Sequence, residues 1–440
     1  MIRGAIGTGR DEVGRLYWPL TPTMSRMRIS PVLLLLLLIA VPLRAQDWST
    51  EEIFARYKAS IVQVRIIDGQ GGEKSSLGSG FFVTDSGELV SNYHVVADLV
   101  DHPETYRAEY VLDDGGEGPL TLLHVDVVHD LALLRAEDVR RPFLAIESNL
   151  PAMGERLYAF GNPYDLGMTI IEGTYNGLLE KSLYERIHFS GSINPGMSGG
   201  PTVDRFGNVI GVNVATAGNQ VSFLVPAKFL LGLLEGLDDP RPLSERIGAQ
   251  LRDNQQRYLS ELTASPLATV SLGQYRVPGK VAPFVNCSSR SDQTGDRLLD
   301  TVVQTCFTDE NIYLSERLST GAIRMEHRLS STQVLGAVRF WAKMEQDFDR
   351  FYGGFGGDED HMSEFRCQNQ PVQQAGLRLK VVLCLRGYRD FPGLYDLLQR
   401  QITLNAADTA LVSTLSLTGV SRDEGLRFAQ RFLEALSWQP

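Results

Sequence analysis

The sequence predicts an all-β domain, built as β-barrels or as a sandwich, followed by an α+β domain. Three observations carry this reading. From about residue 52 to 225, short β-branched or aromatic runs alternate with turn signals. Many short strands with few helices is the pattern of barrels and sandwiches. "DDPRP" (238–242) then breaks the rhythm, and from about 266 longer strands and two amphipathic helical stretches, near 332–347 and 422–437, take over.

Taken in order, the chain opens on a targeting pattern. Arg26 and Arg28 precede an unbroken apolar run from Val32 to Val41, and Ala45 offers a small residue for cleavage. A charged start, a short apolar run and a small cleavage-site residue read as a secretory signal peptide. Residues 1–45 are therefore assigned to a signal peptide, with 1–23 as a misread upstream start and a mature chain from Gln46. Ten residues are too few to cross a bilayer core of about 30 Å as a helix, so no stable membrane insertion is expected.

Strands are expected at "SIVQVRII" (60–67), "GSGFFVT" (78–84), "GELVSN" (87–92), "DLALLRA" (130–136), "ERLYAFG" (155–161), "TIIEGTYNGL" (169–178), "RIHFSGS" (186–192), "NVIGVNVAT" (208–216) and "QVSFLVP" (220–226). Asp85-Ser86-Gly87 and the 204–207 stretch read as hairpin turns. "PAKFLLGLLEGL" (226–237) has helical apolar spacing with proline at its start. The expected division is a β-domain over 50–240, a polar linker helix within 241–265, and an α+β domain over 266–440.

The formal charge of −11 becomes −15 once 1–45 is removed, which excludes the basic footprint of a nucleic-acid binder. All four cysteines, Cys287, Cys306, Cys367 and Cys384, lie in the last third. An even number in an exported chain suggests disulfides, and no Cys-x-x-Cys or histidine spacing suggests zinc. Four cysteines permit three pairings. Cys287–Cys306 and Cys367–Cys384 are expected, because each encloses a short loop between strand-like segments.

The chemistry concentrates in "NPGMSGGP" (194–201), where glycine and proline surround Ser198. Such a stretch reads as a plain turn or as a serine flanked by backbone N–H groups that a substrate can approach. A nucleophilic serine needs a base, and the base needs a carboxylate. His94 ends a strand in "FFVTDSGELVSNYHVV", and Asp130 opens the strand of "VVHDLALL", with Asp126 as its competitor. Each alone reads as an ordinary core or turn residue. The order His94, Asp130, Ser198 within one β-rich segment is the order of chymotrypsin-type enzymes.

Together, "GSGFFVTDSGELVSNYHVV", "DLALLRAE", "GNPYDLGMTIIEGTYNG", "INPGMSGGPTVDRFGNVIGVN" and "VSFLVPA" resemble trypsin-like serine proteases of the HtrA/Deg type over about 60–236. The resemblance implies two perpendicular six-stranded barrels with the site between them. It implies His94 as general base, Asp130 as its orienting carboxylate, Ser198 as nucleophile, and the N–H groups of Gly196 and Ser198 as the oxyanion hole. Ile193, Ala215 and Thr216 would line the pocket before the scissile bond. With no acid over 188–193, small or medium apolar side chains are expected there. Protein or peptide substrates, no cofactor, no metal and a periplasmic location, with secretion second, complete the expectation.

Two residues depart from the family pattern, Met197 before the serine and Tyr93 before the histidine, and both are expected to reshape the cleft. Met197 also leaves a second reading, a protease-fold scaffold that binds protein partners through its C-terminal domain. No PDZ carboxylate-binding loop follows residue 240. The last third shows a faint internal echo: a cysteine pair, strands, then an amphipathic helix, twice, with "YGGFGGDED" (352–360) between. Strand–helix successions occur in any α+β domain and account for it equally.

Overall fold

The computed structural model describes residues 48–218, 220–292, 298–349, 357 and 359–439. The expected signal segment 1–45 and most of 352–360 lie outside the described residues.

The described chain opens with α1 (Thr50–Tyr57), started by a reciprocal capping box between Ser49 and Glu52. Two closed antiparallel barrels follow. The first comprises β1 (Ile61–Asp68), β2 (Lys74–Phe82), β3 (Glu88–Ser91), β4 (Tyr106–Val111), β5 (Glu117–Asp126) and β6 (Leu131–Ala136), with α2 (Tyr93–Asp101) between β3 and β4. The second comprises β7 (Arg156–Gly161), β8 (Thr169–Leu178), β9 (Ile187–Phe189), β10 (Pro201–Val203), β11 (Val209–Gly218) and β12 (Val221–Pro226). Each closes in the same mirrored order, β1-β2-β3-β6-β5-β4 and β10-β11-β12-β9-β8-β7.

Three of these strands carry weak sequence signals. β4 ("YRAEYV") and β5 ("EGPLTLLHVD") expose one polar face, and β10 has three residues, too few for alternation to show. The helical spacing over 226–237 is realised as α3 (Lys228–Glu235).

α4 (Leu243–Thr263) has few apolar residues, yet Ile247, Leu251, Tyr258 and Leu259 are all buried. Their spacing makes a single stripe. At one end, Gln250 exchanges side-chain hydrogen bonds with the backbone of Val125 and Val127 on the first barrel (2.7 and 3.0 Å). At the other, Tyr258 and Leu259 pack with Leu415, Leu417 and Phe428.

Beyond it lie β13 (Thr269–Leu272), β14 (Tyr275–Pro278), β15 (Val285–Asp292), β16 (Asp300–Thr308), the hairpin β17 (Ile312–Ser315) and β18 (Leu318–Thr320), and β19 (Ile323–Ser331). Then come α5 (Ala337–Asp349), β20 (Arg366–Gln374), β21 (Leu377–Gly387), β22 (Leu394–Thr403), β23 (Thr409–Ser421), α6 (Arg422–Glu434) and β24 (Ser437–Trp438). Seven strands form one antiparallel sheet in the order β15-β16-β19-β23-β22-β21-β20. The whole is a double β-barrel joined to an α+β module. Cys287–Cys306 joins β15 to β16 and Cys367–Cys384 joins β20 to β21, each between directly opposed residues. The bridges therefore sit at the two edges of the sheet.

The module packs against both barrels. Ile312, Leu314, Leu318 and Phe391 join the core of the first barrel, and the Tyr93 hydroxyl on α2 donates to the Leu314 carbonyl at 2.8 Å. Glu310 accepts from Ser182 Oγ and from the N–H groups of Leu183 and Tyr184 (3.2 Å for Tyr184) in the β8–β9 loop.

Candidate active site

His94 and Asp130 come from the first barrel and Ser198 from the β9–β10 loop of the second. β3 was expected to run on to the histidine. Instead it stops at Ser91, and His94 lies in the first turn of α2, whose N-cap is Asn92. In that turn the backbone N–H and the ring Nδ1 of His94 face the same way. Asp130 exploits that direction. Its Oδ1 accepts the His94 backbone N–H at 2.9 Å and its Oδ2 lies 2.7 Å from His94 Nδ1.

Asp130 is placed by an unusual backbone, φ +63°, a left-handed conformation that aspartate tolerates better than most residues. Asn92 Nδ2 holds the Asp130 carbonyl at 2.7 Å. The competing Asp126 is engaged elsewhere. It accepts from the N–H groups of Val128 and His129 and pairs with His129 Nδ1 at 2.6 Å. The carboxylate facing His94 is Asp130.

A carboxylate only accepts, so Nδ1 of the neutral ring carries the proton and Nε2 is the basic nitrogen. Burial lowers the His94 pKa, but the charge of Asp130 and its hydrogen bond outweigh that, leaving it raised above 6.5.

Ser198 sits in a loop clamped from several sides. Ser79 of β2 donates its N–H to the Ser198 carbonyl (2.8 Å) and its hydroxyl to the Gly196 carbonyl (2.7 Å). Asn213 of β11 holds the carbonyls of Phe160 and Met197 (2.8 and 3.2 Å), and its own carbonyl receives the Gly199 N–H. Gly196 and Gly199 are obligatory, with φ of +93° and +83°. A Cβ on Gly196 would lie 2.5 Å from the Asn162 carbonyl, and one on Gly199 would lie 2.3 Å from the Ser79 carbonyl.

With those carbonyls tied back, neither the Gly196 nor the Ser198 N–H donates to a protein acceptor among the described residues. Backbone donors of this kind can stabilise a developing oxyanion. Ser198 Oγ donates to the Val214 carbonyl at 3.2 Å, and no hydrogen bond joins it to His94 among the described residues. Such contacts are often loose in a free enzyme and tighten when substrate binds.

The two departures behave differently from expectation. Met197 does not enter the cleft. It is wholly buried in the second barrel among Leu157, Phe189, Ile193 and Leu224. The bare backbone of Gly161 makes room, since a Cβ there would lie 2.7 to 2.9 Å from Met197. Tyr93 is also buried and points to the C-terminal module.

Ile193 lies in the same core, its N–H held by Ser222 Oγ at 3.1 Å. Ala215 and Thr216 are on β11, and their side chains lie outside the described residues. No cluster of ligating side chains suited to a metal occurs among the described residues. Ser79, Asn92 and Asn213 escaped sequence reasoning, although a polar residue inside a small or apolar strand was a usable signal for Ser79 and Asn213.

Residues 78–212 match the model of the trypsin-like peptidase domain. A probable periplasmic serine endoprotease, DegP-like, from Chlamydia pneumoniae is 30% identical over 237 residues, 51% of this chain and 46% of that protein. Protease Do-like 5, chloroplastic, from Arabidopsis thaliana is 36% identical over 168 residues, 34% of this chain and 51% of that protein. The chain thus spans about half the length of these curated relatives. The crystal structure of the serine endoprotease from Yersinia pestis superposes with a TM-score of 0.39 at 25% identity, covering 43% of this chain and 66% of that one. The double-barrel part of the chain is thus similar, over residues 78–212, to the trypsin-like peptidase domain, and similar in sequence to DegP-like and Do-like proteases.

Proposed function

We propose that the protein is an exported serine endopeptidase that cleaves protein substrates through a covalent acyl-enzyme. The observation that carries this reading is the His94–Asp130 pair across the cleft from a serine with two undonated N–H groups at its side. In this reading Ser198 Oγ attacks the scissile carbonyl while His94 Nε2 takes its proton. The Gly196 and Ser198 N–H groups stabilise the oxyanion. His94 then protonates the leaving amine, and water, activated by the same imidazole, releases the acyl group. Asp130 holds the tautomer and stabilises the imidazolium throughout.

The substrate side chain before the scissile bond is small or medium and apolar, because no acid lies in 188–193 to attract lysine or arginine. Residues 50–240 carry the chemistry, and 266–440 act on substrate choice. The periplasm is the compartment, supported by the names of relatives and by two disulfides. The scaffold reading rested on Met197, which lies in the barrel core.

Fluorophosphonate labelling followed by mass-spectrometric mapping tests the assignment. The label is expected on Ser198 and absent from Ser198→Ala. Equal labelling of that variant overturns it.

A further inference from the structure

The second half of β5 runs on past its neighbour. β4 pairs with β5 only over residues 117–120, so from Thr121 to Asp126 β5 keeps a strand on the β6 side alone. Its outward backbone groups still need partners, since Val125 and Val127 are buried. Side chains of α4 supply them. Arg246 and Gln250 lie one turn apart on one face of that helix. Arg246 donates to His124 Nδ1 at 2.7 Å and to the Leu123 carbonyl at 3.4 Å. Gln250 Nε2 donates to the Val125 carbonyl at 2.7 Å, and its Oε1 accepts the Val127 N–H at 3.0 Å. This pair of bonds is the one that a parallel strand residue opposite Asp126 would make.

The strand completed in this way leads straight into the turn 127–130, which ends on Asp130 at φ +63°. A non-glycine residue keeps so sparsely populated a backbone only where its surroundings hold it. Three side chains do so. Asn92 holds the Asp130 carbonyl, Asp126 accepts the N–H groups of Val128 and His129, and Gln250 fixes Val127. Gln250 alone comes from outside the barrels. By contrast, Ser79 and Asn213, which clamp the Ser198 loop, are both barrel residues.

We infer that Gln250 is a positioning residue for the peptidase reaction, holding the 127–130 turn so that the Asp130 carboxylate meets both the ring and the backbone N–H of His94. The inference rests on the peptidase reading above. Its ground is geometric: one carboxylate reaches two donors of His94 at once, at 2.9 and 2.7 Å, and a small slide of the turn forfeits one of them. The helix between the barrels and the C-terminal module is thereby part of the catalytic scaffold, acting on the base and not on the nucleophile.

The test measures the rate of fluorophosphonate labelling of Ser198 against pH in the full chain, with folding checked by circular dichroism. Gln250→Met keeps the side-chain length and removes both hydrogen bonds. Its plateau labelling rate is expected to fall about tenfold, and its acid limb to move to lower pH as Asp130 loosens from the imidazole. Arg252, on the same helix, donates instead to the Pro392 carbonyl of the module at 3.1 Å. Arg252→Ala is expected to leave both rate and limb unchanged.

A folded Gln250→Met with the unaltered rate overturns the role. A slower rate with an unmoved limb overturns it too, since that marks a merely structural contact, as does an equal loss in Arg252→Ala. Where Gln250→Met does not fold, Gln250→Asn, one methylene shorter, takes its place with the same outcomes. Absence of Ser198 labelling in the unaltered protein removes the peptidase reading, and the positioning role falls with it.

Discussion

The two barrels and the C-terminal sheet solve the same problem in opposite ways. A closed barrel has no edge, so every strand of 3 to 10 residues is paired on both sides. Its loops are left to carry polar groups, and His94, Asp130 and Ser198 all sit in or beside them. The open seven-stranded sheet has two edges, β15 and β20, and both are guarded. β20 reads "RCQNQPVQQ", almost wholly exposed, polar and interrupted by Pro371, which cannot donate to a further strand. Each edge is bound to its neighbour by a disulfide. Every cysteine thus lies in the sheet that has edges, none in the barrels.

The largest expected effect breaks the chemistry without touching the sheet. Ser198→Ala and His94→Ala should each lower kcat/KM on casein by about 10⁵- to 10⁶-fold, and the double variant should be no worse, because such residues act as a unit. Asp130→Asn should cost about 10⁴-fold through the wrong imidazole tautomer. Asp126→Asn should stay near the unaltered rate, since Asp126 serves His129. If Asp126→Asn were the damaging change, the carboxylate would be misassigned.

The opposite break spares the chemistry. Replacing Cys287 and Cys306 by alanine opens a cross-link spanning 19 residues and should cost the C-terminal sheet roughly 3 kcal/mol in urea unfolding. Labelling of Ser198 below the unfolding transition should persist. Loss of labelling in the folded double variant would mean that the sheet, as well as the barrels, holds the site together.

A pH profile sharpens the comparison on the barrel side. With the His94 pKa raised by the Asp130 charge and hydrogen bond, the imidazole stays protonated, and useless as a base, to a higher pH than an ordinary imidazole. The acid limb of kcat/KM should therefore lie above the ordinary imidazole range and move to lower pH in Asp130→Asn, which loses the charge that raises it. An acid limb unmoved in that variant would assign it to another group.

The smallest effect probes the joint between the regions. Tyr93→Phe removes the hydrogen bond to Leu314 and leaves a buried carbonyl unsatisfied, so about 1–2 kcal/mol of stability should be lost. Separate unfolding of the barrels and the module in that variant, absent in the unaltered chain, would show that this bond couples them. Unchanged stability would show that packing alone holds α2.

Much of this was written in the chain itself. Short β-branched and aromatic runs between turn signals marked most barrel strands, because such side chains suit a pleated surface that is at least half buried. Glycines at 196 and 199 marked the serine loop, because no other residue takes that backbone without collision. The order His94, Asp130, Ser198 marked three candidate residues without distances, and the structure pairs the first two. Other features depended on partners remote in sequence. β4 and β5 exist because barrel closure pairs strands whose own patterns are weak. Met197 reads as a cleft residue until Gly161, 36 positions earlier, is seen to open the core beneath it. Tyr93 reads as a neighbour of the histidine until Leu314 supplies the acceptor that turns it away. Gln250 completes the pairing of β5 from 125 positions away, so no contiguous stretch records it. Local sequence dictates backbone geometry and periodicity, whereas the direction of a buried side chain is decided by whatever the rest of the chain brings against it.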